Sequence, residues 1–241
     1  MIVDLSDPTR AVTPTLDGPI LAVLAPSGRG MTVGEVAART ARGSEIGVRR
    51  SLARLVEQGI VRTTELGRTR VYELNRDHLA APIAVLLSDL RPELWRRFRE
   101  AIVKWRVRPV YAGVFGSAAR GDGGTVSDID VLLVHPPFPG EERPKRGSGL
   151  LETLESMALG MAMPLTAEAD VDHWHEQVDE LHALVQRWTG NMLQVVDVSA
   201  YEWAHRKRAA TTLFEEIARD AVVLVEPLPM AAAARRSTRT P

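Results

Sequence analysis

The chain has 241 residues, 45% of them apolar and 25% charged, with a formal net charge of -1 and no cysteine. That length allows one large or two modest domains with ample core, while the missing cysteines exclude disulfides, thiolate metal sites and cysteine nucleophiles. There is no leader-like start and no apolar run long enough to span a bilayer, so a cytoplasmic protein with no membrane partner is expected and any basic surface must be local.

Residues 1–17 are polar and carry prolines, which predicts a flexible arm. "GPILAVLA", from Gly18, reads as a short apolar helix. "TVGEVAART" opens with Thr32 three residues before Glu35, the spacing of a capping box, so a second helix starts there. In "SEIGVRRSLARLVEQG", Ser44 can cap a third helix, Val48, Leu52, Leu55 and Val56 form its apolar stripe, and Gly59 ends it. "IVRTTEL" and "RVYELN" are β-prone runs joined through "GRT", a hairpin signal. Residues 81–108 read as a helical connector, with Pro92 in a permitted first turn.

"PVYAGVFGS" then predicts a strand entering a Gly-Ser turn, and "DIDVLLV" a second strand. The Pro-, Gly- and charge-rich run from His135 is a loop, and "LLETLESMALGMAM" has helical character weakened by Gly160. "DVDHWHEQVDELHALVQRW" is an amphipathic helix that stops at Gly190. "NMLQVVDV" is a third strand; "AYEWAHRK" and "TLFEEIARD" are helical, "AVVLVE" is a short strand, and residues 229–241 are expected to be disordered. The fold class is therefore α/β (α+β): a small helical and hairpin domain at 18–80, the connector, and a mixed sheet flanked by helices at 109–228.

Three short helices followed by a hairpin is the order of a winged helix-turn-helix. Between Arg39 and Arg70 eight arginines face three glutamates, a local excess of five positive charges in a chain near neutrality. Ser44, Arg49, Arg50 and Arg54 on the third helix, with Arg68 and Arg70 on the hairpin, are the candidates to contact double-stranded DNA, the helix in the major groove and the hairpin on phosphates. "VRRSLARLVEQGIV" resembles the recognition-helix-to-wing passage of bacterial regulators of the ArsR and MarR type, which also allows a homodimer.

The chemistry-bearing stretch is "FGSAARGDGGTVSDIDVLLV". Alternate residues of a strand share a face, so Asp128, Asp130, Leu132 and Val134 point one way, the last two into a core and the first two onto its rim. Two carboxylates that close repel unless a proton or a cation lies between them, and oxygen ligands of this kind suit Mg²⁺ or Mn²⁺. Gly116 permits a close backbone approach, and Ser117 opens a short helix whose N-H groups and hydroxyl can hold phosphate oxygens. Arg120 adds positive charge near the same oxygens, and Ser127 is placed to brace Asp128. On the third strand Leu193, Val195 and Asp197 share a face; if that strand runs antiparallel to the second, Asp197 lands beside the aspartate pair.

"GSAARGDGGTVSDIDVLLV" resembles the signature of the polymerase-beta-type nucleotidyltransferase superfamily, closest to its minimal and kanamycin-type bacterial branch. "WTGNMLQVVDVS" is similar to the third-strand region of bacterial proteins that join a winged helix to this domain. The resemblance implies that Gly116 and Ser117 contact the triphosphate, that Asp128 and Asp130 bind metal, and that Asp197 is a third metal ligand and general base. It implies transfer of a nucleoside monophosphate from an NTP, with ATP the expected donor, to an acceptor hydroxyl that a protein partner could carry. The alternative is a winged-helix transcriptional regulator whose nucleotidyltransferase domain only binds or senses a nucleotide.

Overall fold

The computed structural model describes residues 2–125, 127–141, 166–203, 217 and 219–226. The chain divides into two compact units, one of residues 1–96 with 121–127 and 189–191, the other of residues 97–120, 128–188 and 192–241.

In the first unit, helices α1 (Asp17–Leu24), α2 (Val33–Arg39) and α3 (Glu45–Glu57) precede a hairpin of β1 (Val61–Leu66) and β2 (Thr69–Leu74). The caps are those the sequence proposes. The Thr32 hydroxyl accepts the Glu35 N-H at 3.2 Å while the Glu35 carboxylate accepts the Thr32 N-H at 2.7 Å, and Ser44 accepts from Gly47 at 3.2 Å. Gly59, just after α3, has φ +77°, a conformation in which a glycine is the least costly residue. Leu66 pairs with Thr69, so the hairpin turns on two residues and Gly67 takes the positive φ such a turn needs. Ile20, Leu24, Met31, Val36, Val48 and Leu52 form the fully buried centre of this unit.

Two expectations fail in this unit. The segment 2–16 is not a loose arm: Leu5, Asp7 and Thr9 are buried, and Pro8–Ala11 make a 3₁₀ turn. A buried carboxylate must be paired, and Asp7 accepts from both the Arg42 guanidinium and the Thr9 hydroxyl. Arg91 adds a donor to the Leu5 carbonyl at 2.7 Å. Nor is 81–108 a separate connector. Ala81, Ala84 and Leu87 of α4 (Ala81–Ser88) belong to the first unit's core, and the division between the units falls inside α5 (Leu90–Ile102).

The second unit holds a four-stranded sheet in the order β5-β4-β3-β6, built from β3 (Tyr111–Phe115), β4 (Ile129–His135), β5 (Leu193–Ser199) and β6 (Val222–Val225). A five-residue helix α6 (Gly116–Arg120) follows β3, and a long helix α7 (Glu168–Thr189) lies between β4 and β5 in sequence. β3 runs antiparallel to β4 and β6, whereas β4 and β5 are parallel. Every residue of β4 except Asp130 is buried, as expected of a central strand covered on both faces. Leu132 and Val134 pack on one face with Phe115, Val198, Ala200 and Ile217. On the other side Trp174 of α7, wholly buried, meets His135 at 5.5 Å and Trp105 edge-on at 5.3 Å between ring centroids. Gly190, φ +75°, stops α7 as its sequence position implies. The expected helices at 150–163 and 212–216 and the tail at 229–241 lie outside the described residues.

Candidate functional site

The site grows from the hand-over between β3 and α6. Phe115 pairs with Asp130 across the antiparallel ladder, so the residue that follows Phe115 is delivered to the Asp130 carboxylate. That residue is Gly116, at φ +69°, and a Cβ there would stand 2.6 Å from Asp130 Oδ2. Glycine is thus required twice, for its backbone conformation and for the close approach. Ser117 comes next, half-buried at the start of α6.

Asp128 and Asp130 are both half-buried, two residues apart at the entry to β4. Burial pushes the Asp130 carboxyl above the ordinary aspartate range; the neighbouring Asp128 charge pushes it the same way, and Arg120 partly offsets them. Burial first and the like charge second disfavour the ionised form, and a cation beside the pair would relieve both. As an oxygen donor set, two rim carboxylates could hold Mg²⁺ or Mn²⁺, which take few protein carboxylates and fill the remaining positions from phosphate and water. Among the described residues no group of three or more His, Cys, Asp or Glu side chains is placed to hold a metal. Arg120 reaches Asp220 at 3.4 Å, a contact that ties the end of α6 to the segment before β6.

Asp197 does not join the pair. The expectation placed it there by assuming antiparallel strands, but β5 is parallel to β4, with Asp197 opposite Leu133. It therefore stands three positions further along the strands, on the opposite face from Asp130, and its Oδ2 accepts the Trp174 indole N-H at 2.8 Å. Its work is to hold α7 on the sheet. The residue in register with Asp130 is Gln194, whose amide donates to Asp128 Oδ2 at 3.4 Å. Sequence reasoning passed over Gln194, although a signal was present: a long helix between two strands marks a crossover, and crossovers join parallel strands.

Ser127 does not serve as the expected brace for Asp128. Its hydroxyl oxygen accepts the Gly124 N-H at 2.9 Å and closes the turn, and its carbonyl accepts from Asn191 at 3.0 Å. The tryptophans at 174, 188 and 203 all pack on other rings: Trp174 is edge-on to Trp105, Trp188 is edge-on to Phe98 at 5.9 Å, and Trp203 stacks on Tyr111 at 5.7 Å.

Residues 96–186 match the family model of a nucleotidyltransferase domain. The match supports the nucleotidyltransferase superfamily and, in general terms, nucleotidyl transfer with a nucleotide substrate. Its span takes in β3, α6, β4 and nearly all of α7, so the Gly-Ser turn and the aspartate pair lie within the matched residues, while β5 lies beyond them. No curated protein and no solved structure matches the chain. Among the described residues no helix is long and apolar enough to cross a membrane.

The arginines of the first unit are less available than their number suggests. Arg42 pairs with Asp7, Arg54 with Asp17, Arg49 with Glu45, Arg62 with Asp77 and Arg70 with Glu65. Arg39, Arg50 and Arg68 make no ion pair among the described residues. Ser44 spends its hydroxyl on the α3 cap. Arg49, Arg68 and Arg70 line one polar groove of about 560 Å³ between α3 and the hairpin, together with Thr32, Glu45 and Glu65.

Proposed function

We propose that the second unit binds a divalent-cation complex of a nucleoside triphosphate and transfers its nucleoside monophosphate to an acceptor hydroxyl. The observation that carries this reading is the close approach of Gly116 to Asp130, which sets the Gly-Ser turn beside the two rim carboxylates. In it, the Gly116 backbone and the Ser117 hydroxyl and N-H hold phosphate oxygens, and Asp128 and Asp130 hold the cation. Bound there, Mg²⁺ or Mn²⁺ supplies charge neutralisation to the triphosphate and the leaving pyrophosphate. The acceptor hydroxyl oxygen forms the new bond to the α-phosphorus and releases its proton to solvent, the bond from that phosphorus to the bridging oxygen breaks, and pyrophosphate departs. ATP is the donor to try first, and a protein side chain is one acceptor class.

The first unit is read as a winged helix that holds double-stranded DNA through α3 and the hairpin. This is supported by the groove that gathers Arg49, Arg68 and Arg70 and by the unpaired charges of Arg50 and Arg68. A second reading, in which the nucleotide is bound and sensed rather than transferred, is favoured by the displacement of Asp197 from the pair, which takes the expected general base away from the site.

The test is incubation of the full chain with labelled nucleoside triphosphates and Mg²⁺, with and without duplex DNA, against Asp128→Asn and Asp130→Asn. Labelled product and pyrophosphate from the wild type alone support transfer. Cation-dependent nucleotide binding without product, lost in both variants, supports sensing. Equal nucleotide binding by all three proteins would refute the site.

A further inference from the structure

We infer that Gln194 is the third member of this site and sets its cation affinity, holding in neutral form the position from which a third carboxylate would act. The inference rests on the nucleotide-site reading above and adds the residue that limits its charge.

The argument is geometric. In a parallel ladder residues in register share a face, so Gln194 stands beside Asp130 on the face that also carries Asp128. Neighbouring strands lie about 4.8 Å apart, which puts the Gln194 side chain within reach of anything held between the two carboxylates. It is exposed, and among the described residues its side chain makes one hydrogen bond, to Asp128. Its Nε2 donates to Asp128 Oδ2 at 3.4 Å, a long bond that costs little to exchange for a cation. An amide brings one oxygen ligand and no charge, so the site presents two negative charges where three acids would present three. The consequence is a cation site of modest affinity that needs the triphosphate to complete it, and a site with no base at this position.

The test compares Mn²⁺ binding, by electron paramagnetic resonance of free Mn²⁺ with and without ATP, in the wild type, Gln194→Glu, Asp130→Asn and Asp197→Asn, all as the full chain. One added charge about 6 Å from the cation, at an effective dielectric constant of about 20 and discounted for exposure, tightens Mn²⁺ about tenfold. The expected pattern is Gln194→Glu tighter by that factor without ATP, Asp130→Asn weakened, and Asp197→Asn unchanged. Gln194→Glu equal to wild type while Asp130→Asn loses the ion overturns the inference and leaves the nucleotide site standing. Mn²⁺ binding that Asp130→Asn does not weaken removes the nucleotide site, and the inference with it.

Discussion

Replacing Asp197 separates a structural role from a catalytic one. Its carboxylate accepts the indole N-H of Trp174 at 2.8 Å, and Trp174 is wholly buried between His135, Phe138 and Trp105. Asp197→Ala leaves that donor with no partner, and an unsatisfied buried N-H costs about 1–3 kcal/mol. Asp197 itself is exposed, so water can replace part of the bond, which puts the expected loss near the lower end of that range, about 1–2 kcal/mol. For a chain of this size, each kcal/mol lowers the melting temperature by roughly 2–4 °C. Asp197→Asn keeps an acceptor oxygen and is expected to fall well short of that loss. Thermal unfolding of the two variants, paired with Mn²⁺-ATP binding, is the assay. The expected result is destabilisation in the alanine variant and unchanged binding in both. Loss of cation binding in Asp197→Asn at wild-type stability would refute the reasoning, because it would require the carboxylate to act at the aspartate pair.

Three further outcomes are expected. Gly116→Ala combines a positive-φ penalty of roughly 1–2 kcal/mol with a Cβ that would press on the Asp130 carboxylate, so nucleotide affinity falls together with stability, as calorimetric titration and melting would show. Arg50→Ala and Arg68→Ala each weaken retention on duplex DNA and reduce the salt slope by about one unit, whereas Arg54→Ala, already paired with Asp17, leaves the slope unchanged in an anisotropy titration over salt. Glu35 is held at a pKa of about 2 by the Arg29 guanidinium and the Thr32 cap, below the ordinary glutamate value of 4.5. Its contribution to the α2 cap is therefore fully present above pH 4.5 and is lost as the pH falls towards 2, and a carbon-13 titration of the Glu35 carboxyl should show that midpoint.

What could be read in the sequence was local. The Thr32-Glu35 capping box, the Ser44 cap, the stripe of Val48, Leu52 and Leu55, and the stop at Gly190 involve partners within a few residues of one another. So does the rim placement of Asp128 and Asp130, which follows from strand alternation alone. What failed depended on distant partners. Arg54 pairs with Asp17 across 37 residues and Arg42 with Asp7 across 35, so a sum of arginines overstates the free basic charge. The direction of β5 is set by how the chain returns after α7, and this decided whether Asp197 or Gln194 would stand beside Asp130.

The strand order β5-β4-β3-β6 puts the two earliest strands in the middle and the two latest at the rims. As the ribosome releases the chain, the β3-β4 ribbon, with the apolar run Val131–Val134, exists before either of its final neighbours has been made. Both of its borders keep free amide and carbonyl groups until residues 193–199 and 222–225 emerge. An unpaired border of that composition invites pairing with another copy. Products truncated ahead of residue 193 should therefore precipitate.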